Sequence, residues 1–132
     1  MSLNAYKKAH SSAETPKQAE YRLFAEVTAA LAEAKRIEAQ GAALVAALDW
    51  NRRLWSTLAA DCGSAGNGLP RELRAQIISV GLWVSRYASE VARGKADIDA
   101  LIDVNRTIME GLAMQSASLS EPKTAASVAG HV

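Results

Sequence analysis

The segment from Ala42 to Cys62 constrains the fold of this chain most strongly, because it contains no proline and no glycine. On a helical wheel, which advances about 100° per residue, one narrow stripe of this segment is almost entirely apolar. The stripe consists of Leu44, Leu48, Asn51, Trp55, Leu58 and Cys62. A helix of this kind buries the stripe and exposes its opposite side to water. The sequence therefore predicts one long helix that packs against other elements.

The composition extends this prediction to the whole chain. Hydrophobic residues make up 49% of the 132 residues, but only 5% of the residues are aromatic, and much of the remainder is alanine. Alanine favours closely packed helices, and the chain lacks the alternating β-branched runs that are typical of strands. We expect an all-α fold, a small antiparallel helical bundle of about four main helices, at about 16–40, 42–62, 70–93 and 97–113.

The start of the first helix has a recognisable sequence pattern. Thr15 can cap the helix, Pro16 suits its first position, and Gln18 stands where a capping box needs a glutamine. Gly41 is the expected stop.

The other boundaries rest on similar residues. Pro70 opens the third helix and Gly94 closes it, while Asp97 is a plausible cap for the fourth helix. Because Ile78 and Leu82 lie opposite the main apolar stripe of the third helix, we expect that helix to be central.

The domain organisation follows from these boundaries. Residues 1–14 are expected to be a flexible segment, residues 15–114 a single helical domain, and residues 115–132 a disordered tail. The glycine-rich stretch 63–68 is expected to be a loop.

Two helices carry an Asn-Arg pair whose asparagine lies within an apolar stripe. A buried amide needs a hydrogen-bonding partner. We therefore hypothesise that Asn51 and Asn105 bond to each other across the second and fourth helices and fix their register. Alternatively, each amide separately bonds a backbone carbonyl or a water molecule.

The sequence offers no candidate catalytic, cofactor-binding or metal-binding residue. His10 and His131 lie in the terminal segments, so Cys62 has no ordered histidine to activate it. The aspartates between 97 and 103 match the general preference of helix N-termini for acids. The glycines of 63–68 lack the Lys-Ser/Thr of a phosphate-binding loop. We expect a protein that is not an enzyme.

Charge and hydropathy indicate a soluble, cytoplasmic protein. The formal net charge is only +1, and Cys62 is the only cysteine, which suits a reducing compartment. The first residues lack the apolar core of a signal peptide. The longest apolar run, from Ala42 to Leu48, is too short to cross a membrane.

The middle of the chain is mildly basic, which raises the alternative of RNA binding. Arg52, Arg53 and Arg74 would then contact phosphates, and Trp50 could stack on a base. The basic residues are less clustered than in most nucleic-acid-binding proteins, so a solvated helix surface is the simpler interpretation.

Several segments resemble the FlaF family of flagellar regulators of alphaproteobacteria. The most specific is the tryptophan-rich run from Leu48 to Trp55. Further similar segments are 20–24, 67–75, 78–84 and 101–112. The resemblance implies a small helical, cytoplasmic protein without enzymatic activity. It would be needed for flagellin production after transcription, would bind flagellin as a chaperone-like partner and would oppose the repressor FlbT. The family defines no catalytic residues.

If flagellin is the partner, we expect an apolar groove with a charged rim that holds one of its amphipathic helices. This groove could lie along the first and second helices, with Trp50 and Leu54 lining it and Arg52 and Arg53 on its rim. Alternatively, Trp50 packs inside the protein against Phe24 or Leu31. Direct binding to flagellin messenger RNA and a structural partnership with FlbT remain open as other functions.

Overall fold

The computed structural model describes residues 14–64 and 66–120, with side chains described as far as residue 114. This part of the chain contains four α-helices and no strand, as the sequence predicts. The helices are α1 (Pro16–Arg36), α2 (Gly41–Cys62), α3 (Arg71–Ala92) and α4 (Asp99–Ser120). The segment 1–13 and the end of the predicted tail, 121–132, lie outside the described residues.

Helix α1 begins with the predicted capping box. The Gln18 backbone N–H donates to Thr15 Oγ1 at 3.1 Å, and the Thr15 N–H donates to Gln18 Oε1 at 3.0 Å. The helix ends at Arg36, before the expected stop, because the chain turns at Glu38, which has a φ of 53°. A left-handed conformation therefore occurs at a non-glycine residue three positions before Gly41, which itself has a φ of 58°.

The four helices form an antiparallel bundle in which α3, α2, α1 and α4 follow one another around the core. Lys35 near the end of α1 pairs with Asp99 at the start of α4, and Thr28 meets Asn105, so α1 and α4 run in opposite directions. Helix α2 packs extensively against α1 and α3, whereas α3 and α4 touch only weakly. Three sides of the bundle are therefore closed and the fourth is open.

The predicted central position of the third helix is wrong. Helix α3 packs against α2, has little contact with α4 and none with α1. Ile78 and Leu82 on its second apolar side face solvent, with Leu82 64% exposed. Gly81 does permit a close approach, because a Cβ at this position would lie 3.4 Å from Ala59 Cβ. That approach involves only α2, so it does not place α3 in the centre.

Helix α4 extends to Ser120, beyond the predicted end near 113 and into the segment expected to be disordered. Residues 115–120 contain no proline or glycine, and the next proline is Pro122. Helix propensity is therefore not interrupted at the point where the apolar stripe ends.

The core contains buried residues from all four helices, and its aromatic centre lies between α1 and α2. The rings of Phe24 and Trp55 pack edge to face, with centroids 5.6 Å apart and planes at 88°. Such an aromatic pair contributes about 1 kcal/mol beyond the burial of its area. Around it, Leu31, Ile77 and Leu101 are completely buried.

Candidate functional site

A polar network crosses the apolar core beside this aromatic pair. Trp55 Nε1 donates to Asn105 Oδ1 at 2.8 Å, and Asn105 Nδ2 donates to Asn51 Oδ1 at 2.8 Å and to Thr28 Oγ1 at 3.2 Å. The Thr28 hydroxyl donates to the Phe24 carbonyl at 2.6 Å. Both asparagines are fully buried. The two amides therefore meet across α2 and α4, and α1 joins them through Thr28.

The indole of Trp55 determines the orientation of both amides. An indole N–H can only donate, so the side-chain oxygen of Asn105 must face Trp55 and its nitrogen must face Asn51. The nitrogen in turn requires the oxygen of Asn51, which turns Asn51 Nδ2 away. This Nδ2 has no hydrogen-bond acceptor among the described residues. Asn105 thus uses both ends of its amide, whereas Asn51 uses one.

The predicted binding residues Trp50 and Leu54 differ in exposure. Trp50 is 41% exposed, so it does not belong to the core. The tryptophan that packs against Phe24 is Trp55, and the interpretation of Trp50 as an internal residue is wrong. Leu54 is only 6% exposed, and its edge lines a shallow depression of about 180 Å³ between α1 and α2.

The predicted rim residues Arg52 and Arg53 point in different directions. Arg52 reaches α3, where its Nη2 lies 3.4 Å from Ser89 Oγ, while Arg53 pairs with Asp49 on its own helix at 2.9 Å. Arg74 donates to the Cys62 carbonyl at 3.5 Å. The residues predicted from the second helix therefore do not form one rim, and the three arginines that could contact RNA phosphates each have a partner within the protein.

A larger groove lies on the open side of the bundle, between α3 and α4. Its volume is about 450 Å³, and most of its lining is apolar. It exists because α3 packs on α2 and does not close against α4. The residues that line it are Gln76, Ser79, Val80, Asp103, Val104, Thr107 and Ile108. A groove between two helices, floored by valine and isoleucine, suits the apolar face of a third helix.

The charge at this groove is acidic on the α4 side. Asp103 lines the groove, and Glu110 is exposed two turns further along the helix. Neither carboxylate forms an ion pair with another described side chain, whereas Asp99 pairs with Lys35. The groove therefore combines an apolar floor with two carboxylates that form no ion pair, although the exposed Arg106 lies between them along α4.

A third cavity, of about 270 Å³, lies at the end of the bundle where α1 begins and α2 ends. Lys17, Glu20 and Asp61 line it together with Ser64 and residues 66–69. Partial burial raises the pKa of Glu20, the neighbouring Asp61 carboxylate raises this pKa further, and Lys17 opposes the change. This cavity has a more polar lining than the α3–α4 groove, and it is less suited to an apolar helix.

The described residues contain no group of three or more histidine, cysteine, aspartate or glutamate side chains that could hold a metal ion. His10 and His131 lie outside them. Cys62 is buried, and burial raises the pKa of its thiol, which disfavours the reactive thiolate. Asp97 accepts a hydrogen bond from the Asp99 backbone N–H at 2.9 Å, which is the capping role expected of it. None of the described helices is long and apolar enough to cross a membrane.

The α3–α4 groove was not predicted from the sequence. Val80 and Ile108 belong to the apolar stripes of their helices, and Val104 lies beside the stripe of α4. A broad stripe predicts burial but does not distinguish burial within the chain from burial against a partner. These two kinds of burial can be distinguished only by knowing which helices pack against each other, and a single sequence does not contain this information.

The described residues form a small all-α bundle with an apolar groove on its open side. The family model described as "Flagellar protein FlaF" matches residues 2–112. The chain therefore belongs to the FlaF family of flagellar proteins, as its tryptophan-rich run predicts. The comparisons found no match among curated proteins and none among solved structures.

Proposed function

We propose that this flagellar protein is a non-enzymatic regulator that binds flagellin, and that it holds one helix of flagellin in the groove between α3 and α4. The observation that carries the proposal is the open fourth side of the bundle, where Val80 and Val104 are only partly buried and no described helix covers them. The protein would act in the cytoplasm, before flagellin is exported, and would promote flagellin synthesis or secretion after transcription.

The physical reason is that flagellin termini are amphipathic helices that must stay unpaired until export. A groove that covers their apolar face prevents premature assembly. Binding of this kind takes its affinity from apolar side chains at i, i+3, i+4 and i+7 positions. It requires no catalytic group, so the proposed role does not depend on one.

This proposal moves the groove away from the seam of α1 and α2. There, the depression beside Leu54 has a volume of about 180 Å³, against about 450 Å³ between α3 and α4. Leu54 is already buried by its own chain and has little area left for a partner. Trp50 is exposed and stays the best candidate for a contact outside the main groove.

Direct binding to flagellin messenger RNA has less support. Arg52 and Arg74 are directed toward other helices or the backbone, and Arg53 pairs with Asp49, so the three arginines do not form one cluster for phosphates. A partnership with FlbT is compatible with the same groove, so the experiment must separate FlbT from flagellin.

The test is the affinity of the full-length protein for purified flagellin, measured by calorimetry with RNase-treated samples. Val80→Ser and Val104→Ser each remove apolar area from the groove, and each should weaken binding about tenfold. The matched control is Leu82→Ser on the outer side of α3, which should leave the affinity unchanged. Unfolding curves must show that all three variants remain folded.

Other outcomes would overturn the proposal in different ways. If Trp50→Ala abolishes binding while both valine variants bind normally, the groove lies on the α1–α2 seam. If the purified protein binds FlbT or flagellin messenger RNA but not flagellin, then flagellin is not the partner.

A further inference from the structure

Two glycines, Gly81 and Gly111, lie in the interior of the described helices, and the packing of the described residues explains only one of them. Glycine within a helix costs about 1 kcal/mol relative to alanine, so its presence calls for a physical reason. For Gly81 the reason is close packing, because an added Cβ would lie 3.4 Å from Ala59 Cβ and 3.7 Å from the Trp55 carbonyl oxygen. Helix α2 therefore occupies the space that a side chain at position 81 would need.

Gly111 in α4 has no such reason among the described residues. A Cβ added at this position would find no atom within 4 Å, and the φ of the residue is not positive. Position 111 lies well within α4, which continues to Ser120, so the glycine does not end the helix. The unfavourable helix propensity of glycine at position 111 is therefore not explained by the packing of the described residues.

The position of Gly111 on the helix relates it to the groove. It follows Thr107 and Ile108 by four and three residues, so it continues the side of α4 that lines the groove. Because Gly111 has no side chain, the backbone of α4 is uncovered here, next to the apolar residues that line the groove. A glycine on such a surface lets another helix approach more closely than a side chain would allow.

We propose that Gly111 is the point at which the bound flagellin helix crosses α4 in close contact. This inference rests on the proposed function and assigns the geometry of the same groove. The occupant is an amphipathic helix that carries a small residue at the crossing point. A lysine or arginine flanks its apolar stripe and pairs with Asp103 or Glu110, the two carboxylates without an ion-pair partner on this side of α4.

Substitution at position 111 separates binding from folding. Gly111→Leu places an isobutyl group where the flagellin helix must pass, and its Cβ would have no described atom within 4 Å. It should weaken flagellin binding by about tenfold to a hundredfold. The melting temperature should remain equal to that of the natural protein or rise, because leucine is a better helix former than glycine.

Two control variants complete the experiment. Gly111→Ala has the same helix-propensity gain with a much smaller side chain, so it should bind more tightly than Gly111→Leu. Ala113→Leu adds the same isobutyl group to the same helix at an exposed position, about 160° away around the axis, and should bind like the natural protein.

The outcomes distinguish this inference from the proposed function. If the natural protein binds flagellin and Gly111→Leu binds it equally well, the crossing point is wrong while the proposed function stands. If Val80→Ser also has no effect, both the groove and the crossing point are wrong. If the natural protein does not bind flagellin, the inference falls together with the proposed function.

Discussion

The two sides of α4 differ in a way that separates stability from recognition. Toward α1, α4 packs closely and contributes Asn105 to the core network and Asp99 to an ion pair with Lys35. Toward α3, α4 has little contact, and its side chains line a groove. One helix thus supports the fold on one side and leaves apolar area uncovered on the other.

The comparison of these two sides shows that the isolated chain does not bury all of its apolar residues, because Val80 and Val104 at the groove stay partly exposed. A four-helix bundle normally closes all four of its sides, because each helix must bury its apolar stripe. Here three sides suffice to exclude water from Trp55 and both asparagines. The fourth side is available to a partner at little cost to stability.

The largest effect on this comparison is expected from Asn105→Leu on the closed side. Leucine removes the acceptor of Trp55 Nε1 and the donor to Asn51 Oδ1, and both groups remain buried. Buried polar groups without partners are costly, so the free energy of unfolding should fall by about 3 kcal/mol. Urea unfolding measures this change, and a loss below 1 kcal/mol would mean that the network adds little to stability.

Asn51→Leu should have a smaller effect, about 1 kcal/mol. Asn51 makes one hydrogen bond of the network, and its Nδ2 already has no acceptor among the described residues. After the substitution, Asn105 Nδ2 still has Thr28 Oγ1. The same unfolding experiment tests the asymmetry, which disappears if the two leucine variants lose equal stability.

The smallest effect, with the opposite sign, is expected from Glu20→Gln at the end of the α1–α2 seam. The pKa of Glu20 is raised above its ordinary value of 4.5 by partial burial and by Asp61. The charged form is therefore unfavourable in the folded state, and stability falls as the pH rises from 4.5 through the raised pKa. Because solvent still screens Glu20, glutamine should stabilise the protein by only about 0.5 kcal/mol at neutral pH.

The gain from Glu20→Gln should disappear as the pH falls below 4.5, where the carboxyl group is protonated in both the folded and the unfolded state. Unfolding curves at several pH values measure this dependence. An equal gain at every pH would show that the effect has a cause other than the charge of Glu20.

Local signals in the sequence predicted most of the helix boundaries. The Thr15–Gln18 capping box is a short-range arrangement, and it is present as predicted. The contact between Asn51 and Asn105 could be anticipated because a buried amide requires a partner and each helix offers one. The length of α4 could not be obtained from its apolar stripe, since the helix continues after burial ends.

The arrangement of the helices around the core depends on long-range packing, and the central position predicted for the third helix was wrong. Ile78 and Leu82 fit a central helix as well as a helix with an exposed apolar side. Similarly, Trp50 and Trp55 are equally apolar in the sequence, but only Trp55 faces α1 and α4. The groove arises from the weak contact between α3 and α4, so no single residue predicts it.

The close approach of α3 to α2 at Gly81 has a consequence for the neighbouring side of α3, which carries Val80 and lines the groove. Since Ala59 and the Trp55 backbone meet α3 at that point, they determine how far α3 stands from the bundle axis. The distance between Val80 and Val104 therefore depends on the contact of Gly81 with α2, which does not line the groove. Adding or removing one methyl group at the contact between Gly81 and Ala59 would therefore change the width of the groove without changing any residue that lines it.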